Sequence, residues 1–466
     1  MEISIGRTVN ISDPIPEIKT WCKKNLTIPN PDYIKKVRMS LWTGNTPKQL
    51  TLYEQKGNTL ILPYGVIKDL FAIPRPIVKL TSTFGKKHEV EYHAEVPLYD
   101  YQDTAVTEML NANYGILQSP AGSGKTQMGI AIIARLGLRA LWITHTRDLL
   151  RQSKVRAERY MDSSLLGTIT EGKVSVGEGI TFATVQTLAR LDLREYENYW
   201  DVIVVDECHR VAGTPTALTQ FYTVLNSLSA RHKYGLSATV HRTDGMIKAT
   251  YSLLGSVAYI VPDEAVADKI MQVGIYPCST GIGVSTEFQN TDGTINYPRM
   301  LSYLTNSINR NREIIKRIME NEGQPSLILS DRLHHLETLM SLLPPAMVKD
   351  AVMVSGKMTS KACKAARDQA IEDMRSGKKK YLFATYALAK EGLDIPRLER
   401  LYLTTPQKDY AVVAQSVGRI ARTFDGKKPP ICYDFVDDIG YLFRAYKKRC
   451  TAYRKIGCYF ITEESL

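Results

Sequence analysis

The chain has 466 residues, 44% of them apolar and 23% charged, with a net charge of +12. That length exceeds what one hydrophobic core organises and predicts about three domains, while no run approaches the ~20 apolar residues of a membrane span. Seven scattered cysteines without a C-x-x-C pair argue against a disulfide framework and against structural zinc, and the positive balance favours a polyanionic partner through non-specific attraction.

Residues 1–95 carry 14 Lys/Arg against 9 Asp/Glu and short alternating runs such as "NTLILPYG" and "HEVEYHAEV". They predict a small α+β domain with a nucleic-acid-binding role. The opening "MEISIGRTVNISDP" has no apolar signal core, so a cytoplasmic protein is expected, in the host cytoplasm if phage-encoded. Across 96–261, apolar runs of strand length ("YGILQS", "RALWITH", "GITFAT", "DVIVVD", "KYGLSA") alternate with helical patterns. Continuous apolar strands between helices indicate a parallel sheet covered on both faces. Residues 262–305 show turn chemistry around "QNTDGTINYP" and predict a linker carrying a hairpin. The α/β pattern returns over 306–440 in "QPSLILS", "AVMVSG", "KKYLFAT", "RLYLTT" and "PPICYDFV". The tail, 441–466, interleaves Tyr441, Phe443, Tyr446 and Tyr453 with six Lys/Arg between 441 and 457. Two readings stay open there: a strand-binding surface, or an amphipathic helix packing its aromatics on the preceding lobe.

Three clusters carry chemistry. "SPAGSGKT" follows a strand and opens a helix, meeting G-x-x-x-x-G-K-[ST] except that Ser119 stands at the first glycine. Backbone N–H groups of such a loop, Ala121 to Gly124, surround a β-phosphate; Lys125 reaches the β- and γ-phosphates and the Thr126 hydroxyl holds Mg²⁺. "DVIVVDE" delivers Asp206 and Glu207 at the carboxyl end of a buried strand, where open α/β sheets bind ligands. Asp206 suits a metal-orienting role and Glu207 suits polarising an attacking water. In "QSVGRIAR", Arg419 and Arg422 lie three apart, which predicts one helix face. Guanidinium groups of this kind stabilise the charge that develops in phosphoryl transfer.

These motifs, in order, resemble those of superfamily 2 helicases. "LYDYQ" resembles the motif that reads adenine, implying Gln102 there, although Tyr99 replaces its usual arginine. "SPAGSGKT" and "DECH" resemble motifs I and II, "THTRDLLRQ" and "TFATVQTL" the strand-binding motifs, and "GLSATVHR" motif III. "LILSDR", "ATYALAKEGLDIP" and "QSVGRIAR" resemble motifs IV, V and VI. The resemblance implies two tandem RecA-like parallel-sheet lobes with ATP and Mg²⁺ between them. It assigns Gly122, Ser123, Gly392 and Asp394 to nucleotide binding, and Gln415, Arg419 and Arg422 to the nucleotide from the second lobe. It assigns Ser237 and Thr239 to coupling, and Arg147, Thr184, Thr187, Ser330 and Thr385 to strand phosphates. The form of motifs II and VI, the compact lobes and the small basic N-terminal domain are similar to UvsW-type and XPB-like helicases. That implies a monomeric enzyme of phage DNA recombination, repair and replication, acting on branched or forked DNA or an RNA–DNA hybrid and not on a membrane. The competing expectations are a double-strand translocase that does not unwind, an RNA helicase, and a non-catalytic binder with a relic ATP site.

Overall fold

The structure, a computed structural model, describes residues 1–462 other than 75–77, 121, 171, 213–214, 239–245, 267–269, 355–360, 391–392 and 394. It divides into two compact units, Met1–Pro120 with Gly124–Pro262, and Asp263–Leu466 with Ala121–Ser123.

The first unit holds a five-stranded N-terminal sheet and an eight-stranded parallel sheet. In the N-terminal sheet Glu54–Lys56, Thr59–Pro63, Thr8–Ser12 and Glu2–Ile5 run antiparallel, and Lys79–Ser82 joins Glu2–Ile5 in parallel. Its apolar face, with Ile3, Val9, Ile11, Leu60 and Leu62, packs together with Ala212, Leu218, Met246 and Ala249 of the following lobe. The small domain therefore shares one core with that lobe, each buried Leu or Ile contributing roughly 1.5–3 kcal/mol. The backbones also meet directly: a Cβ on Gly65 would lie 2.3 Å from the Gly255 nitrogen. Tyr64 donates its hydroxyl to the Arg231 carbonyl at 2.6 Å. "HEVEYHAEV" forms no strand of its own. It lies against the lobe as a bridge between Glu89 and Leu138, with the buried Tyr92 hydroxyl donating to the Leu138 carbonyl at 2.8 Å.

The large sheet runs in the order Lys173–Ser175, Leu166–Thr170, Ile180–Thr184, Ala140–Thr144, Val202–Asp206, His232–Ser237, Gly115–Gln118, Val257–Ile260. Every pairing is parallel except that of the edge strand Lys173–Ser175. All five residues of Val202–Asp206 are buried, as are those of Ala140–Thr144 and Ile180–Thr184. These are the runs expected to be covered on both faces.

The second unit carries a seven-stranded parallel sheet in the order Ala351–Val354, Tyr381–Thr385, Ser326–Ser330, Arg400–Leu403, Ile431–Val436, Gly274–Ser279, Tyr459–Phe460. The expected tandem RecA-like α/β architecture is present, with two differences. Residues 262–305, expected as a linker, contribute the strand Gly274–Ser279, which pairs along its full length with Ile431–Val436. The hairpin signal there reduces to a turn closed by a single bridge between Gln289 and Ile295. The tail forms the helix Gly440–Lys455, which buries Leu442, Ala445, Arg449, Ala452 and Tyr453 against its own unit. Arg449 pairs with buried Asp434 at 2.8 Å and Tyr453 donates to the same carboxylate at 2.7 Å. Phe443 stays 43% exposed, so only part of the aromatic series is used for packing. Among the described residues, no helix is long and apolar enough to cross a membrane.

Candidate nucleotide and strand-contact site

In the first unit the helix Lys125–Leu136 begins where the strand Gly115–Gln118 has ended, as a phosphate loop requires. Gly122 and Gly124 have φ of +87° and +84°, the left-handed region that a side chain would strain. Gly124 is also the helix N-cap, and a Cβ on it would sit 2.4 Å from Gln102 Nε2. Gln102 is buried, and its Oε1 accepts the Tyr99 N–H at 3.0 Å, closing a capping box at the start of helix Asp100–Ala112. The residue expected to read adenine is thus fixed against the loop. Lys125 Nζ donates to the Ser119 and Pro120 carbonyls, both at 3.3 Å. Ser123 is buried and Thr126 sits half-buried in the first helical turn. Ala121 lies outside the described residues.

Asp206 ends its strand with both oxygens engaged: Oδ1 accepts the Glu207 N–H at 2.9 Å and Oδ2 the Ser153 hydroxyl at 3.4 Å. Glu207 adopts φ +51°, a conformation uncommon for a glutamate. Burial, then the charge of Glu207, raises the Asp206 carboxyl well above its ordinary range, against the opposing charge of Lys125. Glu207 is half-buried; burial would raise its carboxyl, but the neighbouring His209 and the Lys125 charge hold it low. Two adjacent carboxyls kept apart in this way form a site that a cation would complete. Glu207 Oε2 is buried without a well-directed hydrogen bond, and His209 Nδ1, 3.2 Å from it, lies 3.1 Å from Ser237 Oγ. Thr126 with Asp206 therefore fits Mg²⁺, an ion that commonly takes one or two protein ligands and completes its shell with phosphates and water.

Ser237 is the meeting point of three motifs. Its hydroxyl faces His209 of "DECH", and its carbonyl accepts the N–H of Ser119 in the phosphate loop at 3.0 Å. Thr239, its partner in the expected coupling role, lies outside the described residues. The role of His209 in "DECH", and those of Ser153 and His145, are visible only in the structure. His145 is pushed down to about 4 by burial, then by Arg210 and His209. The signal available was the motif itself, in which His209 stands two residues after Glu207.

Of the expected strand contacts, Arg147 is exposed in the first turn of helix Arg147–Ala157, which Thr146 caps through the Leu149 N–H at 3.3 Å. Thr184 and Thr187 come together, hydroxyl to hydroxyl at 2.9 Å. In the second unit, Thr385 is half-buried at the end of its strand. Ser330 differs from expectation. It is fully buried, and its hydroxyl accepts the Arg332 N–H at 3.1 Å and faces His335 Nδ1 at 3.0 Å. It caps a turn and offers no surface to a strand.

Motif VI also departs from the sequence reading. The helix Tyr410–Ile420 carries Gln415 and Arg419, but it ends before Arg422, which lies in a bridge with Ile270. The two arginines therefore do not share a helix face. Arg419 donates to the Ala389 and Leu393 carbonyls of motif V at 3.1 and 3.0 Å. Lys427, which the sequence did not single out, ends the helix by donating to the carbonyls of Ile420 at 2.7 Å, Arg422 at 2.6 Å and Pro396 at 3.0 Å. Gln415 keeps a buried Oε1 without a hydrogen bond among the described residues. Gly392 and Asp394 lie outside the described residues.

Comparison with known proteins agrees with this geometry. Residues 95–242 match the family described as type III restriction enzyme, res subunit, and residues 309–424 match the helicase conserved C-terminal domain. A protein named as an ATP-dependent RNA helicase in Acanthamoeba polyphaga mimivirus is 27% identical over 372 residues, 78% of this chain and 68% of its own length. The DNA 3'-5' helicase XPB of Kineococcus radiotolerans is 24% identical over 360 residues, 72% of this chain and 59% of its own. Among solved structures, S. cerevisiae Dbp5 bound to RNA and ADP BeF3 superposes with a TM-score of 0.55 at 18% identity, covering 78% of this chain and 89% of that one. T4 UvsW aligns with 99% of both chains at 17% identity and a TM-score of 0.41. With the restriction-enzyme res-subunit family matched on the first unit, the helicase C-terminal family on the second, and helicase relatives along most of its length, the chain is an ATP-dependent helicase of superfamily 2.

Proposed function

We propose that this helicase remodels branched DNA, by migrating forks or Holliday junctions or by unwinding RNA–DNA hybrids. The observation that carries the reading is the shared core of the N-terminal domain and the first lobe. A domain of net charge +5 that is built into the motor, and not tethered to it, moves with the motor. Lysines on it that meet a duplex arm would act as a fixed point against which the motor draws one strand. Such contacts read backbone geometry and carry little sequence information.

In the nucleotide site, Lys125 leaves the Ser119 and Pro120 carbonyls to meet the β- and γ-phosphates. Thr126 and Asp206 would hold Mg²⁺, which supplies neutralising charge to the phosphates when bound. Glu207, kept ionised by its surroundings, polarises the attacking water. Arg422 supplies positive charge to the transition state, while Arg419 braces motif V and Gln415 contributes an amide oxygen that has no hydrogen bond among the described residues. The link from Ser119 through Ser237 to His209 passes nucleotide state to the strand-contact ends of the first unit's sheet, where Arg147, Thr184 and Thr187 meet phosphate; Thr385 takes the same role at the end of its own strand in the second unit.

The test is a substrate panel with ATP: forked duplex, Holliday junction, replication fork, R-loop and duplex RNA. Turnover of the branched DNA substrates in preference to duplex RNA is expected. Unwinding of duplex RNA alone, or triplex displacement without strand separation, would replace this reading with one of its competitors.

A further inference from the structure

One surface of the N-terminal domain is built but not used by the fold. Helix Pro16–Asn25 buries Ile18 and Cys22, whereas helix Pro31–Arg38 buries no residue at all. Ile34 and Val37 on that helix are exposed, followed by Met39, Leu41 and Trp42, the last 88% exposed. The segment is nevertheless tied down. Asn30 accepts the Asp32 N–H at 3.0 Å and donates Nδ2 to the Pro47 carbonyl at 2.8 Å. Lys36 Nζ donates to Thr46 Oγ1 at 2.6 Å, and the Leu41 N–H to the Lys36 carbonyl at 2.9 Å. The Trp42 ring rests on the turn at Gly44, where a Cβ would lie 3.0 Å from Cζ3. The helix and loop thus form a closed element that presents an indole to solvent. Lys35, Arg38 and Lys48 are exposed around it, and among the described residues no carboxylate pairs with them.

An exposed apolar ridge of this kind marks an interaction site. Its cations select the partner: phosphate neutralises them, and a nucleobase offers the π-face that an indole stacks on. We propose that the Trp42 ridge holds a DNA strand where it leaves its duplex, with an unpaired base stacked on the indole and flanking phosphates on Lys35, Arg38 and Lys48. The inference rests on the branched-DNA reading and gives it a location for the junction contact. Closed duplex offers phosphates but no free base face, so the ridge distinguishes a fork from continuous duplex.

Tryptophan emission of the full chain tests it. Trp142 and Trp200 are buried and Trp21 is half-buried, and all three are retained in Trp42→Phe, so the difference between wild type and that variant isolates Trp42. Adding forked DNA should quench wild type and not Trp42→Phe, while Trp42→Phe keeps fork affinity within about threefold through its ring. Trp42→Ala should weaken fork affinity about tenfold or more, with little change for a duplex capped by hairpins at both ends. Joint Lys35→Gln and Arg38→Gln substitution should lower the salt slope of fork binding by about 0.7 for each single-strand phosphate that is no longer neutralised. Unchanged fork affinity in Trp42→Ala, or an equal loss on capped duplex, overturns the proposal. So does conversion of a dimer to a monomer by Trp42→Ala, which would make the ridge a self-association surface. The branched-DNA reading fails separately, if wild type binds the fork but separates no branched substrate.

Discussion

The two units handle charge in opposite ways. In the first unit, buried Asp206 and half-buried Glu207 stand side by side, with Asp206 raised by its burial and Glu207 in a left-handed conformation. In the second, the cations are already satisfied: Arg419 by two carbonyls of motif V, and Lys427 by three at the end of the motif VI helix. Strain and uncompensated charge mark a place where something binds. Saturated cations mark a brace that sets the position of what lies nearby. The comparison teaches that the arginines of one motif need not share one role.

Removing the cation of the first site should have the largest effect. Lys125→Ala is expected to abolish ATP hydrolysis and strand separation while leaving branched-DNA binding largely intact; ATP turnover near wild type would take the loop out of the mechanism. Glu207→Gln keeps the shape of the site and removes the charge that polarises water, so ATP binding should persist while turnover falls by about 10²–10⁴. Normal hydrolysis in that variant would contradict the role given to Glu207.

The two arginines sharpen the contrast between the units. Arg422→Ala should lower kcat by about 10³ or more with little change in KM, as for charge felt mainly in the transition state. Arg419→Lys loses the fork that reaches two carbonyls, so it should lower thermal stability as well as kcat. Identical profiles for the two variants would erase the distinction.

The smallest effect concerns the joint between the N-terminal domain and its lobe. Lys233 is fully buried, donating to the Arg7 carbonyl at 3.2 Å and the Leu225 carbonyl at 2.6 Å, with the Tyr64 ring 5.0 Å away. Burial lowers its ammonium to about 7 from 10.5. Between those values the unfolded chain binds a proton that the folded chain has released, so stability rises with pH across that window, by at most about 1.4 kcal/mol per pH unit. Below pH 7 both states are charged and the dependence ends. Lys233→Met should flatten the rise in urea midpoint of the first unit between pH 7 and 9. An unchanged slope would show that Lys233 does not titrate there.

Much of this was legible in the sequence because strands buried on both faces read as unbroken apolar runs. "VIVVD" and "SLILS" each became a wholly buried strand at the expected place. Gly274–Ser279 was not legible because it holds Pro277, which cannot donate to a ladder and argues against a strand inside a sheet. Lys233 was missed because lysine is almost never buried without a partner. The phosphate loop and the Asp206–Glu207 pair were readable from motif spacing. The split between Arg419 and Arg422 depends on where the helix ends, and "QSVGRIAR" has no proline, nor a glycine after Arg419, to mark that end. The exposed ridge at Trp42 was also hidden, since "YIKKVRMSLW" reads equally well as a packed amphipathic helix.

The central claim is that ATP turnover by this chain drives strand exchange at a DNA branch. The most direct measurement follows a labelled strand of a Holliday junction with homologous arms in the presence of ATP, for wild type and Lys125→Ala side by side. The account predicts branch migration by wild type, none by Lys125→Ala, and junction binding by both. Equal migration by the two proteins, or ATP turnover by wild type without any strand movement on a fork or a junction, would contradict it.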